Sequence, residues 1–567
     1  MKIVLTYLKP YIARMTFGFF IKALGALMDL GLPWILAYIL DDVIPLKKVL
    51  LIVLWGFAMV VLSIGARTFN IIANRMAAKV ARNTTKNLRH DLFEKILSLS
   101  GNQMDYFTIP SLESRMTSDT YNIHNMVGMM QRIGVRAPII LIGGIIITST
   151  LEPVLTLILV GSLPILTLIV YLVSKKGIPL YLSQQISVDR MIRVVRENIT
   201  GVRVIKALSK TGYEKQRFSD ANSEVVDREL KAGTTMAFTN PAMNLVFNLG
   251  LTLVVIVGAY RVNAGISEPG KIVAFLSYFT IMLQAIMAIT RIFVIYSKAS
   301  ASASRIAEVL EAEEDLKVSI QQGSRNAEDH IAFHHVSFSY TKEPCIIDLD
   351  FGIKKGQSLG IIGSTGSGKT TLINLLMRFY DVTEGVITIE GQDIRSMDKH
   401  ALRKRFGVVF QNDVLFSDRI YENISLGRDI SRDRVLEAVE HAQADTFVEE
   451  LERQLDFRLA IKGSNLSGGQ KQRLLVARAL AGKPEILILD DSSSALDYKT
   501  DSLLRKAIRE NYGETTTIVI AQRISSVMKL DHVLVLEDGR MTGYGTHEEL
   551  LYTCEVYKEI YQSQMLL

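Results

Sequence analysis

The 567-residue chain reads as a multidomain protein: a bundle of six transmembrane helices with long cytosolic extensions, followed by a soluble α/β domain. Three observations predict this. The length exceeds what one hydrophobic core organises. Apolar residues make up 49% of the chain and mean hydropathy is +0.23, yet the long apolar runs all fall before about residue 300. Beyond them, short apolar stretches (SLGIIG, GVVF, ILILD, TTIVIA, HVLVLE) alternate with helical ones, the pattern of a mostly parallel sheet. The expected domains are a membrane part over residues 1–300, a linker over 301–330 and the soluble part over 331–567.

The apolar segments lie at about 15–40, 50–66, 137–151, 153–174, 243–260 and 272–296. Several are shorter than the roughly 20 residues a span needs, and each continues into amphipathic sequence that completes the helix. Lys and Arg concentrate in the stretches 75–115 and 175–231, which places those stretches inside. The N-terminus, with Lys2 and Lys9 but no separate apolar core and cleavage site, is expected to stay in the cytosol. KNLRHDLFEKILSL (86–99) has helical apolar spacing, so the helices are expected to run on into the cytosol and to reverse near Ile109–Glu113 and Lys210–Gln216. A charged helix, Ser304–Asp315, then leads to a polar linker around Gln321–Asp329.

The net charge of +6 is modest and its signs are interspersed, which gives no support to nucleic-acid binding. Two cysteines, Cys345 and Cys554, argue against a disulfide framework or a thiolate metal site. The nine histidines show no ligand spacing; His334 and His335 would point to opposite faces of a strand.

Chemistry enters at GSTGSGKT, residues 363–370, which fits G-x-x-x-x-G-K-[ST] between the strand SLGIIG and the helix TTLINLLMRFY. In Gly363, Ser364, Thr365, Gly366, Ser367, Gly368, Lys369, Thr370 and Thr371 the glycines let backbone N–H groups wrap phosphates. Lys369 supplies a point charge, and the Thr370 hydroxyl stands ready for Mg2+ at a helix N-terminus. ILILD ends in Asp490, a carboxylate suited to hold Mg2+ through its water shell. ATP and Mg2+ are therefore the expected cofactors.

Between these motifs lies NLSGGQKQRLLVARAL, beginning at Asn465. LSGGQ (Leu466, Ser467, Gly468, Gly469, Gln470) resembles the signature of the ATP-binding cassette (ABC) family, and the whole chain resembles a half-size ABC exporter of the multidrug type. The resemblance implies that the soluble part is a P-loop ATP-binding cassette. It also implies that the signature clamps ATP held by a second cassette, so a partner half-transporter is needed. By the same resemblance Tyr340 in VSFSY is the adenine-stacking aromatic and Gln411 in VVFQN the Mg2+- and water-sensing glutamine. SALD, ending in Asp497, is the loop that crosses to the partner site.

Two positions depart from the family pattern. Asp491 stands where the family has a glutamate that orients or deprotonates water, and Gln522 stands where it has a γ-phosphate-contacting histidine. Asp491 is one methylene short, and Gln522 cannot become cationic. Both fall on one composite site, which makes the chain resemble the degenerate-site subunit of a heterodimeric bacterial exporter. RLAIKGSN (458–465) also lacks the acidic residue that precedes the family's signature. The implied activity is ATP-driven export of a hydrophobic or amphipathic compound, multi-pass in the plasma membrane with the cassette cytoplasmic. A weakly catalytic homodimer and a nucleotide-sensing membrane subunit are the alternatives. Coupling helices are expected near Ile109–Met116 and Thr211–Phe218, with Tyr213 as a plug into the opposite cassette. Within the spans, Asp29 and Arg67 are expected to face a cavity or one another, with Asp29 either attracting cationic substrates or, in the alternative, pairing structurally or lying at the interface.

Overall fold

The computed structural model describes residues 1–318 and 328–565, so residues 321–327 of the expected linker lie outside the described residues. The chain divides into two compact units, one comprising Met1–Ser98 and Pro110–Ala312, the other Leu99–Ile109 and Glu313–Leu567.

In the first unit, six helical segments are long and apolar enough to cross a membrane: Lys2–Leu46, Val49–Ser98, Ile109–Leu151, Pro153–Thr200, Thr211–Asn263 and Pro269–Leu310. At 1.5 Å per residue the 50-residue Val49–Ser98 is about 75 Å long, more than twice the roughly 30 Å hydrocarbon core, so it extends well into water. Small residues permit close helix approach: Ala26, Ala137, Ala274 and Ala285 are buried together with Leu30, Ile140 and Tyr278. The Tyr278 hydroxyl donates to the Leu30 carbonyl at 2.6 Å.

The reversals sit earlier than the sequence reading placed them. The first occupies the stretch around a short helix, Gly101–Phe107, and Ile109–Glu113 already belongs to the third long helix. Pro110 stands in the first turn of that helix, where proline is favoured. The second reversal carries the short helix Val202–Ala207, and Thr211 already begins the fifth segment. Of the charged helix expected at Ser304–Asp315, the part up to Leu310 is the end of one continuous helix, Pro269–Leu310, and residues 311–315 are not helical.

The second unit is built on two sheets. One is antiparallel, in the order β2 (Ile346–Ile353), β1 (Ile331–Phe338), β4 (Glu384–Ile389), β5 (Gln392–Asp393). The other runs β10 (Arg540–Gly545), β9 (His532–Glu537), β3 (Ser358–Gly363), β8 (Thr516–Ile520), β7 (Ile486–Asp490), β6 (Phe406–Val409). Its strands are parallel except for β10 at one edge. Alternate residues serve two cores: Ile486, Ile488, Ile518 and Ile520 pack on one face and Leu487, Leu489 and Val519 on the other. That two-sided burial is why these strands read as continuous apolar runs. His334 and His335 do not alternate simply, because β1 is bulged there and His335 adopts φ +47°.

Candidate functional site

The strand order places the site. In the sheet β3, β8, β7 and β6 are successive neighbours, all parallel, so the segments leaving their carboxyl ends converge. Those segments carry the Gly-rich loop, Gln522, Asp490 with Asp491, and Gln411. They line one cavity of about 330 Å³ that includes Thr365, Gly366, Lys369, Gln411, Asp491 and Gln522.

Gly366 (φ +87°) and Gly368 (φ +96°) take left-handed conformations that bend the loop back over the helix Lys369–Leu376. Gly363 is required sterically, since a Cβ there would stand 2.1 Å from the Leu536 carbonyl oxygen. The Lys369 ammonium donates to the carbonyls of Gly363 (2.9 Å) and Ser364 (2.6 Å). Burial depresses its pKa, while the Asp490 and Asp491 carboxylates oppose that effect. Ser367 is buried beneath the loop. The Thr370 hydroxyl donates to Asp490 Oδ2 at 3.2 Å. Burial raises the Asp490 pKa and the neighbouring Asp491 adds to this, against the Thr370 bond. The donors gathered here, a hydroxyl, two carboxylates and the Gln411 amide, are hard oxygen ligands of the kind Mg2+ prefers.

Asp491 holds φ +51°, and its amide donates to the Ile520 carbonyl of β8 at 3.0 Å. Burial raises its pKa, partly offset by Arg523 and Lys369. The exposed Gln522 is tethered through its carbonyl, which accepts from Gln564 at 2.9 Å. Tyr340, 41% exposed, lies beside the loop, its hydroxyl donating to Thr371 Oγ1 at 3.3 Å. Its ring stands edge-on to Tyr380 at 5.1 Å.

Leu466, Ser467, Gly468, Gly469 and Gln470 form a separate feature. Ser467 caps the helix Gly468–Ala481: its hydroxyl accepts from the Gln470 amide (3.3 Å), and Gln470 Oε1 accepts from the Ser467 amide (2.9 Å). This reciprocal capping box turns the helix N-terminus outward at a second cavity, of about 430 Å³, with Arg473, Asp497 and Thr500 in its wall. The two cavities share no lining residue. Asp497 itself caps the helix Tyr498–Asn511 through Thr500. Sequence reasoning missed Gln472, whose Nε2 donates to Ser494 Oγ (3.0 Å) and whose Oε1 accepts from the Ala495 amide (3.0 Å). It pins the SALD loop to the signature helix.

A further group missed from sequence surrounds Gly101–Phe107. The Gly101 amide donates to the Phe379 carbonyl (3.0 Å), the Tyr380 hydroxyl to Asp105 Oδ2 (2.7 Å) and the Ser100 hydroxyl to Asp315 Oδ2 (2.6 Å). This short helix therefore sits on the same Tyr380 that abuts Tyr340. The readable signal was Ser100-x-x-Gln103, a capping box.

Asp29, in the membrane unit, is ion-paired with Arg136 at 2.8 Å. Arg67 is exposed and is not the recorded partner. This ion pair is one of the arrangements expected for Asp29.

Comparison with known proteins agrees with this geometry. Residues 15–286 match the ABC transporter transmembrane region, and residues 346–494 match the ABC transporter family of ATP-binding domains. The chain is 35% identical over 565 residues to the uncharacterized ABC transporter ATP-binding protein YfiB of Bacillus subtilis, covering 99% of this chain and 98% of that protein. It is 30% identical over 488 residues to a fatty acid ABC transporter ATP-binding/permease protein of Mycobacterium bovis (86% and 77% covered). Its fold matches that of a bacterial Atm1-family ABC exporter solved with ATP bound, with TM-score 0.83, 24% identity and 98% of each chain covered. With one membrane-spanning domain and one ATP-binding domain in a single polypeptide, the chain belongs to the ABC transporter family as a half-size member with the exporter fold.

Proposed function

We propose that this chain drives export of a hydrophobic or amphipathic compound as the degenerate-site subunit of a heterodimer in the plasma membrane, with its N-terminus and cassette in the cytoplasm. The observation that carries the reading is that Asp491 and Gln522 both line the cavity of this chain's own phosphate loop, while the LSGGQ helix end lines another cavity that shares no residue with it. Each is half of a site, and a second cassette completes both. Two nucleotides held between two cassettes would draw them together and bias the membrane helices between two states.

At this chain's own loop, Gly363 to Thr371 would cradle the phosphates, Tyr340 would stack on adenine, and Thr370, Gln411 and Asp490 would hold Mg2+, which supplies charge neutralisation at the outer phosphates. Asp491 would be the weak link. A carboxylate displaced by on the order of 1 Å loses about 100-fold in rate, and Gln522 offers a hydrogen bond without a positive charge. At the partner's loop, the intact Ser467 and its glycines would complete a competent site. A relative named for fatty acid transport supports an amphipathic cargo. The short helices Gly101–Phe107 and Val202–Ala207 are our candidates for the coupling segments, in place of the stretches expected from sequence, and Tyr213, 67% exposed, remains the proposed plug.

The test is ATPase activity of the chain alone and co-purified with its partner in lipid, with Lys369→Ala and Ser467→Ala. Turnover only by the pair, lost far more to Ser467→Ala than to Lys369→Ala, supports the reading. Because Ser467 also caps its helix, Ser467→Thr serves as the cap-preserving control. Full turnover by the chain alone, abolished by Lys369→Ala, replaces the heterodimer with a homodimer.

A further inference from the structure

The membrane unit contains an unbalanced group of charges that nucleotide chemistry does not use. Lys22, only 4% exposed, donates to Asn74 Oδ1 at 2.9 Å. Its ammonium interacts electrostatically with Asp29, Arg132 and Arg136. Of these four groups three are cations and one is a carboxylate, and that carboxylate is engaged by Arg136. Arg132 uses its Nε on the Gly128 carbonyl of its own helix at 3.0 Å. Arg136 Nε is buried without a hydrogen-bond partner. The helix widens into a π-turn at Met130–Gly134, the turn that bears Arg132, and such turns recur at functional sites.

Uncompensated positive charge is costly inside a membrane protein, and buried cations are normally paired. The two arginines directly precede the apolar run at about 137–151, so the group lies at the depth of the cytosolic leaflet in the orientation read from Lys and Arg. Guanidinium groups present planar N–H forks to oxyanions.

We propose that Lys22, Arg132 and Arg136 receive the anionic headgroup of an amphipath, a carboxylate or phosphate on an apolar chain, drawn from the inner leaflet. The inference rests on the exporter reading and narrows its cargo. It also reverses the expectation of a cation-attracting Asp29: that residue orients Arg136, and the net charge of the site is positive.

The experiment titrates oleate, its methyl ester and a long-chain alkyltrimethylammonium against the full chain in zwitterionic nanodiscs. Oleate is expected to bind at least about tenfold more tightly than the ester, the difference one partly buried charge pair makes. Removing the buried Lys22 risks the fold itself, so Arg132→Gln carries the test and should bring oleate to the level of the ester. Repeating the titration with a monoalkyl phosphate and in discs containing phosphatidylglycerol separates the sources. Competition by phosphatidylglycerol identifies a lipid headgroup, and its absence identifies a free amphipath. Equal binding of acid and ester, preference for the cation, or unchanged oleate binding by Arg132→Gln overturns the inference. Lys369-dependent ATP binding and Ser467-dependent ATPase, measured on the same discs with partner, fail only if the exporter reading itself fails.

Discussion

Replacing Gly101 by alanine should detach the helix Gly101–Phe107 from the cassette. A Cβ at this position would stand 2.5, 2.7 and 2.8 Å from three atoms of the Tyr380 ring. The ring cannot retreat: it is buried, tilted against Phe338 at 5.6 Å, edge-on to Tyr340 at 5.1 Å, and held by Asp105 at 2.7 Å. Two effects oppose each other. Alanine improves helix propensity over glycine by about 0.5–1 kcal/mol, while overpacking against an immobile ring costs about 1–3 kcal/mol. Expelling the helix also forfeits the Tyr380 bond to a carboxylate, worth about 1.5–3 kcal/mol. The clash should win, with a net loss of about 1.5–5.5 kcal/mol localised to this seat. Hydrogen exchange of the full chain in lipid reads it directly: amides of residues 101–107 should lose protection while those of β3 and β7 keep theirs. With the partner present, ATP binding should persist and substrate-stimulated ATPase should fall. Tyr380→Ala removes the obstacle, so the double variant should cost less than the sum of the singles. Unchanged protection at 101–107 in Gly101→Ala, or strict additivity in the double variant, would refute the reasoning.

Three other outcomes are expected. Asp491→Glu restores the missing methylene and should raise turnover at this chain's own loop by about tenfold or more, measured in a pair whose other site is disabled; no rise would mean that reach is not the limitation. Tyr340→Ala should weaken ATP binding by about 1–3 kcal/mol while Tyr340→Phe keeps it, because stacking needs the ring and not the hydroxyl that meets Thr371; equal loss in both would assign the effect to that bond. His330 is buried, which lowers its pKa, with its Nδ1 at 2.7 Å from Thr516 Oγ1. The unfolded chain therefore binds more protons below the ordinary histidine value of about 6.5, and cassette stability should fall as pH drops through that range. His330→Gln should flatten this dependence of the melting temperature, and an unaltered slope would place its origin elsewhere.

How far the sequence reached depended on whether a feature is local. The Gly-rich loop, ILILD and LSGGQ are contiguous, and each dictates its backbone within a few residues through left-handed glycines, a strand end or a helix cap. The six spans are equally local, being runs of apolar side chains whose backbone must satisfy itself as helix. Turn positions were legible only where residue chemistry was unambiguous. The stretches expected to turn, Ile109–Glu113 and Lys210–Gln216, fall on helix starts instead, while the Ser100–Gln103 capping box marked the first reversal.

Features joining distant residues were decided by the tertiary structure. Insertion of β8 between β3 and β7 carries Gln522 in beside Lys369 and Asp491, and hydrogen-bonded strand order is not encoded in any one strand. Asp29 meets Arg136 because two helices pack through small residues, so the sign of the charge at that site emerges from packing alone. Tyr380 links Tyr340 to a helix roughly 275 positions earlier in the chain, across a seat that admits only glycine at 101. A sequence determines conformation where the interacting groups are neighbours along the chain; where they are brought together by burial, the partners follow from which surfaces pack.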